Sequence, residues 1–317
     1  MGMAASFVPS ILRPDFTWPQ PVPSKILETT PPTPSTPSRI SRLLWGVIHK
    51  SLYHVSRWYC SCFGILFDAH IVQLPFGLVM KWTDRTSLEE VISMQMVQAA
   101  GMPVPTVISC GEHPNEPFNR HFSILMTRLP GVSLNNSSDP LFIDDEEPWL
   151  QELRMCVQAM RLWSPPNQYA VSSPIGTCIH SSRVTGHIVR TFANQKDFYD
   201  FLITTAFKNS FRSISVYEAA LARTRRLREK EYRIVFTHGD FKAHNILVGD
   251  DGHLTGFLDW ESAGWCPEYW EYTTAMRFGR SSWWFQVASW MGGDQYLDEL
   301  DSDIALNSLT VDSYICM

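Results

Sequence analysis

The sequence predicts an α+β protein with two lobes, a small one built on an antiparallel sheet and a larger, mainly helical one. In the first part of the chain, short extended runs surround a single helical stretch, at 63–73, 78–82, 87–100 and 122–127. After Gly131 the apolar spacing becomes helical, with candidate helices at 146–163, 196–207 and 216–229. Strands around one helix, followed by a run of helices, are typical of an architecture that segregates its sheet from most of its helices.

Composition narrows the class of protein further. The chain has 317 residues, 44% of them hydrophobic, which is enough to bury a sizeable core. Its net charge of −6 argues against the broad basic surface of a nucleic-acid-binding protein. No apolar run reaches the roughly 18 residues that a membrane span needs. The odd count of seven cysteines is typical of reduced thiols, and we expect a cytoplasmic protein. The oligomeric state stays open.

Three regions follow from changes in residue content along the chain. Residues 1–40 hold nine of the 21 prolines, all within the first 38 positions, and are predicted to form a flexible tail rich in proline and serine. Residues 41–126 form the predicted small lobe, and residues 127–317 form the predicted larger lobe.

The small lobe begins with an amphipathic helix at about 41–59. Its apolar residues recur at steps of three and four, and they are Leu44, Val47, Ile48, Leu52, Val55 and Tyr59. Basic residues lie between them, so the apolar face packs either on the domain, which is the commoner case, or on a membrane surface. The helix at 87–100 has a capping box, with Ser87 as N-cap and Glu90 three residues later, and Gly101 ends it.

The larger lobe contains one strongly patterned segment. A short strand at 233–236 leads into a loop, and a hairpin follows at 246–248 and 254–258, around the turn residues 249–252. A further helix is predicted at 268–277. The loop and the hairpin carry the residues whose chemistry is most informative.

The loop reads His-Gly-Asp and continues to Asn245, with Asp240 and Lys242 inside it; thirteen residues then separate Asn245 from Asp259. Phosphoryl transfer demands positioning and charge neutralisation more than covalent chemistry. A carboxylate such as Asp240 can orient a hydroxyl group and accept its proton. Mg²⁺ prefers oxygen ligands, which Asn245 and Asp259 can supply. Lys242 can stabilise charge on a transferred phosphoryl group.

The motif H-G-D-x-x-x-x-N, followed by a hairpin and an aspartate, resembles the aminoglycoside phosphotransferase family, and the segment DWESAGWCPEYWEY is similar to its fungal members. The resemblance implies a bilobal protein-kinase-like fold, with residues 41–126 as the nucleotide-binding lobe and residues 127–317 as the catalytic and substrate lobe. It implies that Asp240 is the catalytic base. It implies that Asn245 and Asp259 bind Mg²⁺ and that His238 orients the loop. Glu271 is predicted to brace the same loop or to cap its neighbour.

The resemblance extends upstream to the nucleotide site. Lys81 ends the strand LVMK, as the nucleotide-binding lysine does in the family, with Glu90 as its ion-pair partner and Glu89 as the alternative. The run ILMTRLPG resembles the hinge between lobes. There Met126 would lie behind the adenine of ATP, and backbone groups of Thr127 and Leu129 would contact it.

The predicted function is an ATP- and Mg²⁺-dependent transfer of the γ-phosphate to a hydroxyl group of a small molecule. The chain departs from the family at one point, because only Gly64 and Gly77 precede Lys81 where a glycine-rich loop should cover the phosphates. This gap leaves a second hypothesis open, that the chain is a catalytically silent family member and acts as a binding or scaffold module. The third hypothesis is protein kinase activity. The absence of an A-P-E motif after Asp259 argues against it.

Overall fold

Two lobes meet at the hinge that follows the strand Phe122–Thr127, and the predicted α+β class is confirmed. The computed structural model describes residues 8–116, 119–134, 148–204, 206, 208, 211–277 and 279–310. The helices are α1 (Arg39–Phe63), α2 (Leu88–Ala99), α3 (Pro148–Leu162), α4 (Gln195–Ile203), α5 (Ile214–Glu229), α6 (Trp270–Met276), α7 (Trp283–Trp290) and α8 (Leu297–Thr310). The strands are β1 (Ile71–Leu74), β2 (Leu78–Lys81), β3 (Val107–Glu112), β4 (Phe122–Thr127), β5 (Val132–Ser133), β6 (Ile179–His180), β7 (Ile188–Val189), β8 (Ile234–Thr237), β9 (Ile246–Val248), β10 (Leu254–Phe257) and β11 (Gly264–Pro267).

The small lobe is an antiparallel sheet in the order β1-β2-β4-β3. Lys81 pairs with Ile124, and Leu78 pairs with Thr127 at the other end of β2. The strand predicted at 63–73 is wrong in its first part, because α1 continues to Phe63 and β1 begins at Ile71. The helix ends there because Gly64 adopts a left-handed conformation and its N–H bonds back to the last turn.

Helix α1 packs on the sheet through its small and polar face, not through its apolar one. Gly46, His49 and Ser56 are buried, whereas Val47 is 67% exposed and Trp58 is 69% exposed. A Cβ atom on Gly46 would lie 2.3 Å from the carbonyl oxygen of Glu112, so only glycine allows this close approach. The expectation that the apolar face packs on the domain is therefore wrong for most of that face.

In the larger lobe, the predicted hairpin of β9 and β10 is present, and β5 extends it into a three-stranded sheet. Strand β8 pairs with β11, a strand that the sequence did not predict. Because β8 leads directly into the H-G-D loop and β11 follows Asp259, this pairing draws both ends of the motif together. Helices α3 to α8 pack around these strands.

One hydrophobic core extends through both lobes. Met96, Val97 and Met102, at the C-terminal end of α2 and just beyond it, belong to the same buried cluster as Leu153 of α3 and Phe241 of the motif loop. The outer face of the small sheet has its own smaller cluster around Met80. The limits of the three predicted regions stay predictions.

Residues 8–38, which fall within the tail that the proline content predicts, lie against both lobes in the structure. Ile26 is 3% exposed within the main core. The N–H of Leu27 donates to the carbonyl of Ala100, and the indole of Trp163 donates to the carbonyl of Leu27. Proline lacks an N–H group, but its neighbours still supply donors, carbonyls and apolar side chains for such contacts.

Across the described ranges, none of the helices combines the length and the apolarity needed to cross a membrane.

Candidate active site

A cleft with a cavity of about 990 Å³ lies between the small sheet, the hinge and the loops after β8 and β10. Its lining includes Lys81 from β2, Met126 from β4 and Leu129 from the hinge. Asn245 and Asp259 reach it from the larger lobe. The cleft therefore collects predicted site residues from distant parts of the chain, and its size suits a bound small molecule.

Lys81 is the centre of the charged contacts in this cleft. Its Nζ lies 2.8 Å from Oε1 of Glu90, 2.5 Å from Oδ1 of Asp259 and 2.9 Å from Oε2 of Glu261. Burial by itself would lower the pKa of Lys81, but the three carboxylates outweigh burial and raise it above the ordinary value. Lys81 is therefore a charged ammonium, held in place from three directions.

The helix geometry of α2 decides which glutamate meets Lys81. Ser87 caps the helix by accepting the N–H of Glu90, as the capping box predicts. Glu90 then points inward and is 1% exposed. Burial raises its pKa to about 7, against the opposing attraction of Lys81. Glu89 instead accepts a hydrogen bond from the hydroxyl of Thr177 at 2.6 Å, so the structure places Glu90 beside Lys81 and Glu89 away from it.

Asp259 is held in an uncommon backbone conformation. Its φ of 64° and ψ of 63° are left-handed, a region that aspartate tolerates better than most residues. The turn connects β10 to a short helical turn at Trp260–Ser262. Burial would raise the pKa of Asp259, but the contact with Lys81 outweighs it and the pKa falls below the usual value. Asp259 is thus an ionised carboxylate on the wall of the cleft.

Glu261 is a member of this cluster that the sequence did not identify. Besides its contact with Lys81, its Oε1 lies 2.9 Å from the guanidinium of Arg85, just before α2. Its side chain is 5% exposed, and burial raises its pKa. The one available signal was its position two residues after Asp259, which is weak evidence without the turn geometry.

The H-G-D loop is braced from behind by Glu271 of α6. The two carboxylate oxygens of Glu271 accept the N–H groups of His238 at 3.1 Å and Gly239 at 2.8 Å. Burial raises the pKa of Glu271 to about 7, and these two hydrogen bonds oppose that rise. Gly239 is required, because a Cβ atom there would lie 2.1 Å from the carbonyl oxygen of Ser262.

His238 is a buried, neutral side chain that connects this loop to β10. Burial lowers its pKa to about 4. Its Nε2 lies 2.8 Å from the carbonyl oxygen of Leu258, and its Nδ1 accepts the N–H of Asp240 at 3.2 Å. A neutral ring with its proton on Nε2 satisfies both contacts. The ring also stacks on Phe257 at 4.3 Å between centroids. These contacts orient the loop.

Asp240, Lys242 and Asn245 form one contact group at the edge of the cleft. The Nζ of Lys242 lies 2.5 Å from Oδ1 of Asp240. The amide nitrogen of Asn245 donates to the carbonyl oxygen of Asp240 at 2.8 Å and to its Oδ2 at 3.2 Å. This orientation commits the nitrogen of Asn245 to the loop and leaves its amide oxygen as the end available to a cation.

The hinge presents Thr127 and Leu129 at the opposite end of the cleft. The N–H of Thr127 donates to the carbonyl of Thr106, and its hydroxyl accepts the N–H of Thr106. Of its two backbone groups, Thr127 can therefore offer only the carbonyl to a ligand, while its hydroxyl keeps a proton to donate. Met126 lies beside it on β4 and lines the cleft. The structure brings all three predicted hinge residues to this wall.

The β1–β2 connection is a tight turn at the hinge end of β2, where Leu78 pairs with Thr127. Phe76 and Gly77 both have positive φ angles, 66° and 60°. Leu74 pairs with Leu78, so the chain reverses over three residues, two of which are in the left-handed region. Hydrogen bonds to the N-terminal segment and to the hinge hold this turn, through Ile11 and Arg128.

Comparison with known proteins gives a family and a fold. A sequence model described as the phosphotransferase enzyme family matches residues 70–301. No curated protein sequence matches the chain. Among solved structures, a thermostable mutant of aminoglycoside phosphotransferase APH(4)-Ia in its apo form superposes with a TM-score of 0.55 at 15% identity, over 80% of this chain and 89% of that one.

Two further structures of that thermostable enzyme agree. A ternary complex of a variant with AMP-PNP and hygromycin B gives a TM-score of 0.55 at 15% identity, over 82% of this chain and 92% of the other. A second variant, with ADP and hygromycin B, gives 0.53 at 13% identity, over 80% and 88%. At these identities the matches establish the shared protein-kinase-like fold.

Proposed function

Because the chain belongs to the phosphotransferase enzyme family, we propose that it transfers the γ-phosphate of ATP to a hydroxyl group of a small molecule, with Mg²⁺. The observation that carries this proposal is the contact of Lys81 with Asp259, 178 residues apart in sequence, in a cleft that also contains Asn245. Structures of the related fold have been obtained with ADP or AMP-PNP and hygromycin B, which supports a nucleotide as the donor. An ATP donor agrees with the predicted cytoplasmic location.

The two ends of the cleft suit the two ends of ATP. The carbonyl of Thr127 and the backbone of Leu129 would meet the adenine edge, with Met126 behind the base. Lys81 offers an ammonium to the phosphates, and Glu90 keeps that ammonium in position through a 2.8 Å ion pair. The adenine would then lie against the hinge, and the negatively charged phosphates would lie next to the ammonium of Lys81.

Asn245 and Asp259 fit a magnesium site by the chemistry of their donor atoms. Both offer oxygen, and the nitrogen of Asn245 is already committed to Asp240. Among the residues that the structure describes, no three His, Cys, Asp or Glu side chains form a cluster that could hold a metal ion by themselves. Mg²⁺ at a nucleotide needs only one or two protein carboxylates, because phosphates and water complete its shell. When bound, the ion would neutralise phosphate charge.

Asp240 would orient the acceptor hydroxyl group and accept its proton as the bond to phosphorus forms. Lys242 lies next to Asp240 and would stabilise the negative charge on the transferred phosphoryl group. The loop is held from behind by Glu271 and His238, so Asp240 and Lys242 project from a fixed backbone at the edge of the cleft. The segment between the hinge and His238 would select the acceptor.

The test is thermal stability with ATP, with Mg²⁺ and with both, for the wild type and Asp259→Asn. A ligand at 100 times its Kd raises the free energy of unfolding by about 2.7 kcal/mol. We expect the full stabilisation only with both additions, and its loss in the variant. Asp250→Asn, an exposed aspartate of the nearby β9–β10 turn, is the matched control and should respond like the wild type.

If millimolar ATP with Mg²⁺ leaves the wild type unshifted, the chain is a non-catalytic member of its family and the proposed activity is wrong. If ATP stabilises the wild type equally well without Mg²⁺, the ligand role of Asp259 is wrong while nucleotide binding stands.

A further inference from the structure

Residues 9–20, here called the strap, lie across the mouth of the cleft and contact the β1–β2 turn directly. The N–H of Phe76 donates to the carbonyl of Ile11 at 2.9 Å, and the indole N–H of Trp18 donates to the carbonyl of Phe76 at 2.8 Å. The ring of Phe16 lies so close to Gly77 that a Cβ atom there would be 2.8 Å from it. The strap therefore forms hydrogen bonds with both backbone groups of Phe76, its N–H and its carbonyl.

The same strap is bonded to the hinge through Arg128. The N–H of Trp18 donates to the carbonyl of Arg128 at 2.8 Å, and the guanidinium of Arg128 donates to the carbonyl of Pro14. The N–H of Arg128 in turn donates to the carbonyl of Gly77 at 2.7 Å. Strap, turn and hinge thus form one hydrogen-bonded unit at one end of the cleft.

Asp15 and Thr17, between these two anchoring points, line the cavity itself. The cavity measures about 990 Å³ with the strap in place, which leaves ample room for a nucleotide. The strap therefore encloses the cleft and does not fill it. Within the described part of the chain, the Asp15 carboxylate forms no hydrogen bond or ion pair, so its oxygens are available to a ligand.

The register of β2 shows which end of a nucleotide the strap would meet. Leu78, next to Gly77, pairs with Thr127 at the hinge, and Lys81 lies three residues further along the strand. At about 3.3 Å per residue, Lys81 is about 10 Å deeper in the cleft. A carboxylate at the hinge end lies away from the phosphates, where it can accept hydrogen bonds from hydroxyl or amino groups without repelling them.

We propose that the strap is a structural part of the nucleotide site. It holds the β1–β2 turn at the hinge end of the cleft and presents Asp15 and Thr17 to the nucleoside half of ATP. This inference rests on the proposed function, since it assumes that the cleft binds ATP. It assigns the N-terminal segment a role in affinity for the base and ribose, with no role in binding the metal.

The experiment is calorimetric titration of the full chain with ATP and Mg²⁺, with adenosine, and with inorganic tripolyphosphate and Mg²⁺. Phe16→Ala combined with Trp18→Ala releases the strap, while Asp15→Asn combined with Thr17→Val leaves the anchoring points intact. We expect the first pair to weaken ATP and adenosine about tenfold or more, and the second about threefold to tenfold, the range of one or two hydrogen bonds. Tripolyphosphate affinity should stay unchanged in both.

Two matched controls accompany these variants. Trp58→Ala removes an exposed tryptophan from α1, and Glu28→Gln removes an exposed carboxylate further along the N-terminal segment. Both should bind all three ligands like the wild type. The unliganded melting temperature of each variant checks that it is folded, and the Asp15 and Thr17 pair keeps the inference testable where the Phe16 and Trp18 pair fails to fold.

Equal or tighter nucleotide binding in both strap variants would overturn the strap inference and leave the proposed function standing. An equal loss for tripolyphosphate would overturn the assignment to the nucleoside half. Absence of ATP binding in the wild type would overturn the proposed function and the strap inference with it.

Discussion

Lys81 is the residue at which the charges of the cleft meet, with three carboxylates within 2.9 Å of one ammonium. Such a group is sensitive to the loss of its cation, because the acids that remain are too buried for water to solvate them fully. The arrangement also keeps the ammonium extended toward the proposed position of the phosphates, so the proposed nucleotide would not have to order this side chain on binding.

We expect Lys81→Met to lower the free energy of unfolding by about 3–5 kcal/mol at pH 7, the range for breaking a buried ion pair. ATP affinity should fall at least about tenfold, measured by titration calorimetry. Lys50→Met is the matched control, because Lys50 forms a half-exposed pair with Glu116 and should contribute at most about 1 kcal/mol. Equal losses in denaturant melts of the two variants would contradict the central role of Lys81.

Asp240 gives a second prediction at the residue scale. Asp240→Asn keeps the size of the side chain and removes its basicity, so turnover should fall about 10²–10⁴-fold, the usual range for a positioned general base. Nucleotide affinity should change little, because Asp240 lies outside the lining of the nucleotide cavity. Phosphate release or transfer, assayed once an acceptor is known, measures the effect. Asp250→Asn should retain wild-type turnover, and an active Asp240→Asn enzyme would refute the assignment.

At the scale of elements, helix α1 is attached to the sheet by a small buried polar network. His49 contacts the hydroxyls of Ser123 at 2.6 Å and Ser109 at 2.9 Å, and His113 contacts Ser123 at 2.8 Å. Burial lowers the pKa of both histidines to about 4. A neighbour also lowers each pKa, His113 for His49 and Lys50 for His113. Both are therefore neutral in the folded protein near pH 7.

This network predicts a pH dependence of stability. Below pH 6.5 the unfolded chain is protonated at His49, whereas the folded chain takes up that proton only at about pH 4. Stability is thus complete above pH 6.5 and is lost as the pH falls toward 4, by at most about 1.4 kcal/mol per pH unit for each histidine. His49→Gln should show a flatter profile in denaturant melts at pH 7, 6 and 5. His54→Gln, on the exposed side of α1, should keep the wild-type slope, and parallel profiles for all three proteins would refute the account.

At the scale of the whole molecule, the two lobes share one core, so they should unfold together. Met96 belongs to the core common to both lobes, and Met80 belongs to the separate cluster of the small sheet; both are 0% exposed. We expect one calorimetric transition for the full chain, with equal calorimetric and van't Hoff enthalpies.

The two methionines also form a matched pair of variants. Met96→Ala and Met80→Ala should each cost about 2–5 kcal/mol, because each leaves a cavity. Loss of Met96 should lower the midpoint of the single transition, since both lobes depend on it. A resolved early transition of the small lobe in the wild type would contradict the shared core.

Several features were predictable because they depend on local sequence. The strand at Phe122–Thr127 was placed correctly, and the cap at Ser87 and the β9–β10 hairpin were correct to within one or two residues, since capping and turn chemistry act over a few positions. The spacing from Asp240 to Asn245 set the contact between them, because the short loop keeps them within reach. The resemblance of this motif also identified the family and the fold class.

Other features depended on packing between distant segments. The sequence left Glu89 and Glu90 as alternatives, and only the orientation of α2 against β2 places Glu90 beside Lys81. Glu261 joins the cluster because the left-handed turn at Asp259 aims it there. Periodicity could not reveal which face of α1 is buried, because the approach of Gly46 to β3 is a matter of shape.

The sequence by itself determined the family of this protein, because the motif that resembles the family is a set of residue types at short, fixed spacing. Only the tertiary structure decided how the cleft is completed. It joined Lys81 to Asp259 across 178 residues, and it laid the proline-rich N-terminal segment along the hinge. Contacts of that kind arise from the packing of whole segments, and packing leaves no periodic pattern in the sequence of either partner.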